Sequence, residues 1–469
     1  MGRGLFHLAA LSRPAVRKLV MDTSLSATRR AALHRILWRL HFWAGLVGAP
    51  IVLFAALTGL LYAFSPQIEG WRHGHLDRVP LTTPALPLDN QVAVALADAP
   101  GSALRFVVPA FRPGDTTQVY VTAPHAHHTG SAGGHDHGMP TGRIVYVDPG
   151  TGEVIGQLAE MQRLKTWAKK LHSSALQGDG WRWVLELGAS WMLVLFASGL
   201  VLWWPRSQAD GGRGWKALIP RGGHGRATWR DWHATVAIAL GLVLAVVLVT
   251  GLTWSRHSGE RFRVMQQALG QESTKAPKDL ASAPGDAPLL GWQAVWDRAR
   301  AQAPDIAMSI SAPKGPTGVW RADNFDRSQP TQRFSLALDA RTGATLYSSG
   351  WDEQPLLAQA TGVGIPFHRG EFGVWNQALL AFAALAAVFS VVSGLVMWWK
   401  RRPKGRVAAP PLGVAQLRQA PVWLWVAVAA LGWAMPLFGW SVGVLVLLEA
   451  ARLFQLTSSR RRPGPTAPR

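Results

Sequence analysis

Residues 38–60 read Trp38-Arg39-Leu40-His41-Phe42-Trp43-Ala44-Gly45 and run on to Leu57-Thr58-Gly59-Leu60. Residues 230–252 read Arg230-Asp231-Trp232-His233-Ala234-Thr235-Val236-Ala237 and run on to Val249-Thr250-Gly251-Leu252. In both, a histidine follows a basic, Trp-containing step, opens an apolar helix, and stands 17 residues before a threonine (41 to 58, 233 to 250). Phe42–Phe64 is 23 residues without a charge, enough to cross a bilayer as a helix. These stretches decide the fold class: membrane-spanning helices, each carrying a histidine near one end.

Composition agrees. Of 469 residues 48% are hydrophobic and 16% charged, too apolar on average for a water-soluble chain of this length. The 24 Trp against 4 Tyr cluster at the ends of apolar runs, where interfacial anchors belong. A formal net charge of +21 raises nucleic acid as a partner. The basic residues, however, sit in blocks beside the apolar spans, so membrane topology accounts for them and nucleic acid is not expected. Cysteine is absent, which excludes disulfides, iron–sulfur clusters, thiol catalysis and covalently attached haem. Histidine is the remaining ligand for a soft or borderline metal.

The chain is read as a basic cytoplasmic N-terminus (1–35), a first span (36–64), an α+β module (65–180), a second span (181–204), a Gly/Arg-rich loop (205–230), a third span (231–254), a second α+β module (255–371) and a fourth span (372–399). A linker (400–420), an apolar segment (421–453) and a basic tail (454–469) follow. In the first module Asp89–Ala99 reads as a helix, and Leu104–Val108, Gln118–Thr122, Arg143–Asp148 and Glu153–Gln157 as strands. In the second, Gly291–Gln302 reads as a helix, and Arg333–Leu338 and Ala344–Tyr347 as strands. The apolar segment is longer than a bilayer needs. With Met435-Pro436 in its middle it forms a hairpin of two short helices or one long tilted helix. Arg and Lys crowd the N-terminus, the 205–230 loop and residues 400–406. By the positive-inside rule these lie in the cytoplasm, and both modules lie outside, in the periplasm of a Gram-negative host.

The two halves repeat as units, each running histidine, span, module, histidine, span. His172 precedes Ser198-Gly199-Leu200-Val201-Leu202-Trp203-Trp204, and His368 precedes Ser393-Gly394-Leu395-Val396-Met397-Trp398-Trp399. Asp148-Pro149-Gly150-Thr151-Gly152 matches Asp339-Ala340-Arg341-Thr342-Gly343. The repeats run in parallel, so their pseudo-two-fold axis follows the membrane normal. Residues related by that axis face each other at one depth. His41 with His233 on the cytoplasmic side, and His172 with His368 on the outer side, would each supply both axial ligands of one non-covalently held b-type haem. His41 lies roughly 25 Å of helix from Thr58, so two such haems would span much of the bilayer. His34 and His257 are reserve ligands. No side chain is assigned a catalytic role.

Two spans per half around a module, with Val145-Tyr146-Val147-Asp148-Pro149-Gly150-Thr151-Gly152-Glu153-Val154 and the Ser-Gly-Leu-Val-x-Trp-Trp run used twice, resembles the PepSY-associated transmembrane proteins of bacteria. The resemblance covers roughly residues 30–405. It implies an α-helical polytopic membrane protein: a four-helix core with a pseudo-two-fold repeat, a C-terminal helix or hairpin, and two extracytoplasmic α+β modules. Some members look like haem-containing inner-membrane reductases of ferric siderophores, so the implied role is passing electrons outward to Fe(III) in a siderophore or another metal complex. Ala340 stands where the first module has Pro149, a departure from the motif. With no flavin or nicotinamide fingerprint, the donor would be a quinol or a separate cytoplasmic reductase.

Two other readings compete. A non-enzymatic regulator would use its modules to bind another protein and leave the paired histidines without a role. A metal-binding uptake protein would use the Gly-rich run holding His125, His127, His128, His135 and His137, since His-rich tracts bind metal ions. Against transport, the spans are nearly pure hydrocarbon at their centres, whereas transport paths show polar or broken helices there.

Overall fold

A computed structural model describes residues 13–80, 84–122, 140–209 and 218–460. In chain order these form helices α1 (Arg13–Ala63), α2 (Ser65–Asp77) and α3 (Leu88–Ala97), then strands β1 (Leu104–Val108), β2 (Thr117–Val121), β3 (Arg143–Val147) and β4 (Val154–Ala159). Helices α4 (Leu164–Ser174), α5 (Arg182–Ala209), α6 (Arg226–Ala239), α7 (Gly241–Leu252), α8 (His257–Ala268) and α9 (Trp292–Gln302) follow. Next come β5 (Met308–Ser311), β6 (Val319–Asn324), β7 (Ser335–Asp339) and β8 (Thr345–Ser349). The chain closes with α10 (Leu356–His368), α11 (Val374–Arg401), α12 (Val414–Arg418), α13 (Val422–Ala434) and α14 (Pro436–Arg460). It divides into a helical unit (Met1–Leu53, Glu186–Arg261, Leu385–Arg469) and a sheet unit (Phe54–Leu185, Phe262–Ala384).

Among the described residues, three helical stretches are long and apolar enough to cross a membrane: Thr28–Ala63, Asp179–Trp204 and Val374–Arg401. The helix that carries the expected first span (36–64) begins before it, at Arg13. No Pro or Gly falls between Pro14 and Gly45, so nothing stops the helix, and His41 lies well inside α1. The expected third span is not one helix. It is α6 and α7, bent by 58° at Leu240, whose φ of −107° and ψ of 0° lie outside the helical well. The adjacent Gly241 accounts for the local packing. A Cβ there would stand 1.9 Å from Phe196 Cε2, so the ring of α5 lies on bare backbone.

The C-terminal apolar segment is broken, not one long helix. Met435 (φ −125°, ψ 81°) ends α13, as the residue before a proline is pushed out of the helical region. Gly432 and Gly439 let α13 and α14 touch: a Cβ on Gly439 would be 3.0 Å from the Gly432 Cα. Met435 and Phe438 are buried with Trp191 and Val194 of α5, and Trp191 Nε1 donates to Ser441 Oγ (3.0 Å). Midway along α14, Glu449 pairs with Arg39 of α1 (2.9 Å).

The two expected modules share one sheet. Its strand order is β4-β3-β2-β1-β5-β6-β7-β8, with every neighbour antiparallel. The modules join where β1 meets β5, at Val107 opposite Ile310. Both outer hairpins carry a register shift at the same repeat position, Tyr146/Val147 and Ala337/Leu338. Strands β5 and β6 escape the sequence reading because β5 is only four residues long and β6 ends in Arg-Ala-Asp-Asn. The core lies between the sheet and two helices. Leu88, Val92 and Ala95 of α3 and Val295, Trp296 and Ala299 of α9 pack with Val107, Val119, Val145, Ile310 and Leu336. The two helices cap each other's starts. Asp89 accepts from the backbone N–H groups of Trp292 (2.8 Å) and Gln293 (3.0 Å), and Gln293 Oε1 accepts from the Leu88 N–H (2.8 Å). Satisfying the free N–H groups of a helix start in this way is worth ~1 kcal/mol per cap.

Candidate functional site

In the helical unit, His41 of α1 and His233 of α6 come together, with ring centroids 6.4 Å apart and ring planes at 82°. A hydroxyl stands at each Nδ1. Ser198 Oγ lies 2.9 Å from His41 Nδ1, and Ser393 Oγ lies 2.8 Å from His233 Nδ1. A hydroxyl has one proton to give. Ser393 gives its proton to the Phe389 carbonyl one turn back (2.6 Å), and Ser198 gives its own to Leu195 (3.1 Å). Each serine therefore accepts from the imidazole, so Nδ1 carries the proton and Nε2 keeps a free lone pair. That tautomer is the one that ligates a metal through Nε2.

The glycine after Ser198 makes room for the ring, whereas the one after Ser393 stands at ordinary contact distance. A Cβ on Gly199 would be 3.2 Å from His41 Cε1, and one on Gly394 would be 3.9 Å from His233 Cε1. Cation–π contacts of Arg401 with Trp38 (5.2 Å) and Phe42 (5.2 Å) tie α11 to the α1 turn that carries His41.

The sheet unit repeats the arrangement. His172 of α4 places Nδ1 2.9 Å from Thr58 Oγ1, and Thr58 donates to the Phe54 carbonyl (2.6 Å). Gly59 would put a Cβ 3.4 Å from His172 Cε1. His368, in the last turn of α10, is close enough to act electrostatically on His172. Burial first, and then His368, holds the His172 imidazole down at about 4, so it is neutral at physiological pH. The start of α4 is pinned by Arg163, which donates to Glu69 (3.0 Å), Asp77 (2.9 Å) and Tyr146 Oη (2.9 Å). Those bonds tie α4, and with it His172, to α2 and β3.

Of the two expected pairs, His41 and His233 are thus brought into ring contact, and His368 lies within electrostatic reach of His172. A b-type haem needs only two ligands from the protein, one on each face. His41 and His233, with ring centroids 6.4 Å apart, would offer the two imidazole donors such a group takes from the protein. The residues present fit the group in number and in donor type.

The reserve ligands are placed differently. His34 is exposed on α1. His257 turns Nδ1 toward Glu186 Oε2 (3.2 Å), and Glu186 also accepts from the backbone N–H groups of His257 (3.0 Å) and Ser258 (2.7 Å). Glu186 is only 2% exposed. It caps α8, and the sequence reading passed over it. Among the described residues no group of three or more His, Asp or Glu is arranged to hold a metal ion. The cluster His125, His127, His128, His135 and His137 lies outside the described residues. In the sequence Ser198, Ser393 and Thr58 mark the repeat, and the structure places each beside an imidazole. The usable signal was that each marker couples a hydroxyl to a glycine.

A family model described as the PepSY-associated TM region matches residues 38–401, most of the chain. The chain belongs to that family. No curated protein matches it. In this PepSY-associated protein the matched segment contains both histidine pairs and their three hydroxyl partners.

Proposed function

We propose that this PepSY-associated membrane protein is an oxidoreductase of the bacterial inner membrane. It carries electrons outward through two b-type haems, held by His41 with His233 and by His172 with His368, to ferric iron in a chelate such as a siderophore on the periplasmic side. The observation that carries the reading is the His41–His233 pair at 6.4 Å, with a serine hydroxyl at each Nδ1 that leaves Nε2 available as a donor. When bound, haem supplies an iron that changes oxidation state by one electron at a time.

The chain's own residues do the rest. Ser198, Ser393 and Thr58 hold imidazole protons at Nδ1. Gly199 and Gly59 admit the ring edges. Apolar helices exclude water from the ligands. The basic blocks support a cytoplasmic N-terminus, which faces a quinol or a separate reductase as donor. At the outer side, one electron converts Fe(III) to Fe(II), which hard oxygen ligands hold weakly.

The test is an absorption spectrum and haem quantification on protein purified from haem-replete membranes. The expected result is a bis-histidine b-type spectrum with two haems per chain. One haem is lost in His41→Ala or His233→Ala, and the other in His172→Ala or His368→Ala. A colourless, folded protein sinks the reading.

A further inference from the structure

The sheet unit contains a cavity of about 390 Å³, within the range of small-molecule sites. Five cations line it, Arg78, Arg112, Lys165, Arg327 and Arg369. Four carboxylates line it too, and each is already engaged. Asp77 is bound by Arg163 (2.9 Å). Asp115 accepts from the Arg112 backbone N–H (2.9 Å) and faces Arg78 (3.8 Å). Asp326 accepts from the Ser328 N–H (2.9 Å). Glu371 Oε1 takes Lys165 (3.3 Å) and Arg369 (3.1 Å). That leaves two guanidinium groups over. Neither the Arg112 nor the Arg327 side chain makes a hydrogen bond or ion pair among the described residues.

Two further features set the chemistry. The second oxygen of Glu371, Oε2, is buried with no hydrogen-bond partner among the described residues, so one acceptor stands open beside the cations. Phe111 and Phe325, with Val108 and Pro109, form apolar wall. Positive charge extends behind it. Desolvation, and then the like charges of Arg369, Lys170 and Arg327, pull the Lys169 ammonium down to about 8. Guanidinium forks match carboxylates in bidentate geometry. The occupant should therefore bring at least two carboxylate groups, a hydroxyl or bound water for Glu371, and little bulk.

The cavity is also in a telling place. Lys165 lies two turns before His172 on α4, and Arg369 directly follows His368 at the end of α10.

We propose that this cavity is the acceptor site and takes a small ferric hydroxycarboxylate chelate of net negative charge, in preference to a cationic ferric hydroxamate. The assignment rests on the reductase reading for its purpose, but the binding chemistry stands on Arg112, Arg327 and Glu371 alone.

The experiment is calorimetric titration of the purified full chain in detergent with ferric citrate, with gallium(III) citrate, with metal-free citrate and with a cationic ferric trihydroxamate. Gallium(III) is not reduced under these conditions, so its binding is read without electron flow. Both citrate chelates are expected to bind, and the Arg112→Ala/Arg327→Ala double variant to weaken them by about tenfold or more, 1.4 kcal/mol at the lower bound. An Arg112→Lys/Arg327→Lys variant retains charge and should fall between. Because neither side chain makes a hydrogen bond or ion pair among the described residues, melting temperature and haem content should change little.

Equal binding of the cationic hydroxamate, equal binding of metal-free citrate, or unchanged gallium citrate affinity in the double variant overturns the assignment. If gallium citrate binds in an arginine-dependent way but ferric citrate is never reduced, the cavity stands and the reductase reading falls. If reduction continues at the same rate with the double variant and binding is unchanged, the reverse holds.

Discussion

Ser198 accepts a hydrogen bond from His41, Oγ to Nδ1 at 2.9 Å, because its own proton is engaged by the Leu195 carbonyl of the same helix (3.1 Å). A helix that occupies the proton of its serine turns that serine into an acceptor, and so decides which nitrogen of a histidine on another helix is free. Ser393 does this for His233, and Thr58 does it for His172.

Ser198→Ala and Ser393→Ala should therefore weaken haem retention at the His41–His233 pair without touching a ligand. Partners of this kind contribute about 10–100-fold in metal affinity. Haem per chain after dilution or competition with an apo-haem-binding protein checks it. Ser198→Thr, which preserves the hydroxyl, should restore retention. Equal retention in Ala and Thr variants would show that the hydroxyl is idle.

The two serine-linked glycines should differ in tolerance. A methyl at Gly199 would press to 3.2 Å of His41 Cε1, whereas one at Gly394 would sit at an ordinary 3.9 Å from His233 Cε1. Gly199→Ala should lower haem content at this pair or shift its spectrum, and Gly394→Ala should leave both as they are. A matching response of the two variants argues against ring placement by glycine.

The 82° angle between the His41 and His233 ring planes makes a spectroscopic prediction. Near-perpendicular axial imidazoles bring the iron d-orbital levels that parallel rings split close together. The oxidised protein should show a low-spin electron paramagnetic resonance signal with one g value far above the other two. Loss of that signal in His41→Ala assigns it. A rhombic spectrum of the parallel-ring type from this pair would contradict the geometry.

Asp339 supplies a pH dependence. Its carboxylate accepts from the backbone N–H groups of Thr342 (2.8 Å), Ala283 (2.8 Å) and Arg341 (3.0 Å), which hold it well below its ordinary value of 3.8. A depressed carboxylate stabilises the fold above the unfolded value and loses that contribution as pH falls through the folded one. Stability should decline as pH drops below about 4, and Asp339→Asn should flatten that decline. Asp339→Ala, which strands three N–H groups, should cost about 1–3 kcal/mol. Thermal melts of the full chain across acid pH, followed by circular dichroism, give the comparison. An unchanged acid limb in Asp339→Asn would remove Asp339 from the account.

Much of this architecture was legible in local sequence. Span placement follows from runs of apolar residues, because it depends on transfer between lipid and water residue by residue. The hairpin turns at Asp148 and Asp339 were readable because Asp and Gly satisfy a turn within five residues. Legible too were the four ligand candidates, since the repeat places the same residue at the same step twice.

What only the tertiary structure decided depends on helix rotation and strand pairing between distant segments. That Ser198, Ser393 and Thr58 face imidazoles is a matter of which face each helix turns inward. Likewise the bend at Leu240 goes with Phe196 packing on Gly241, a contact between residues far apart in sequence. The joining of both modules into one sheet rests on β1 finding β5, two strands whose own sequences carry no record of each other. Arg112 and Arg327, more than two hundred residues apart, come to line one cavity for the same reason: local sequence sets each strand and loop, and the joined sheet sets where their side chains meet.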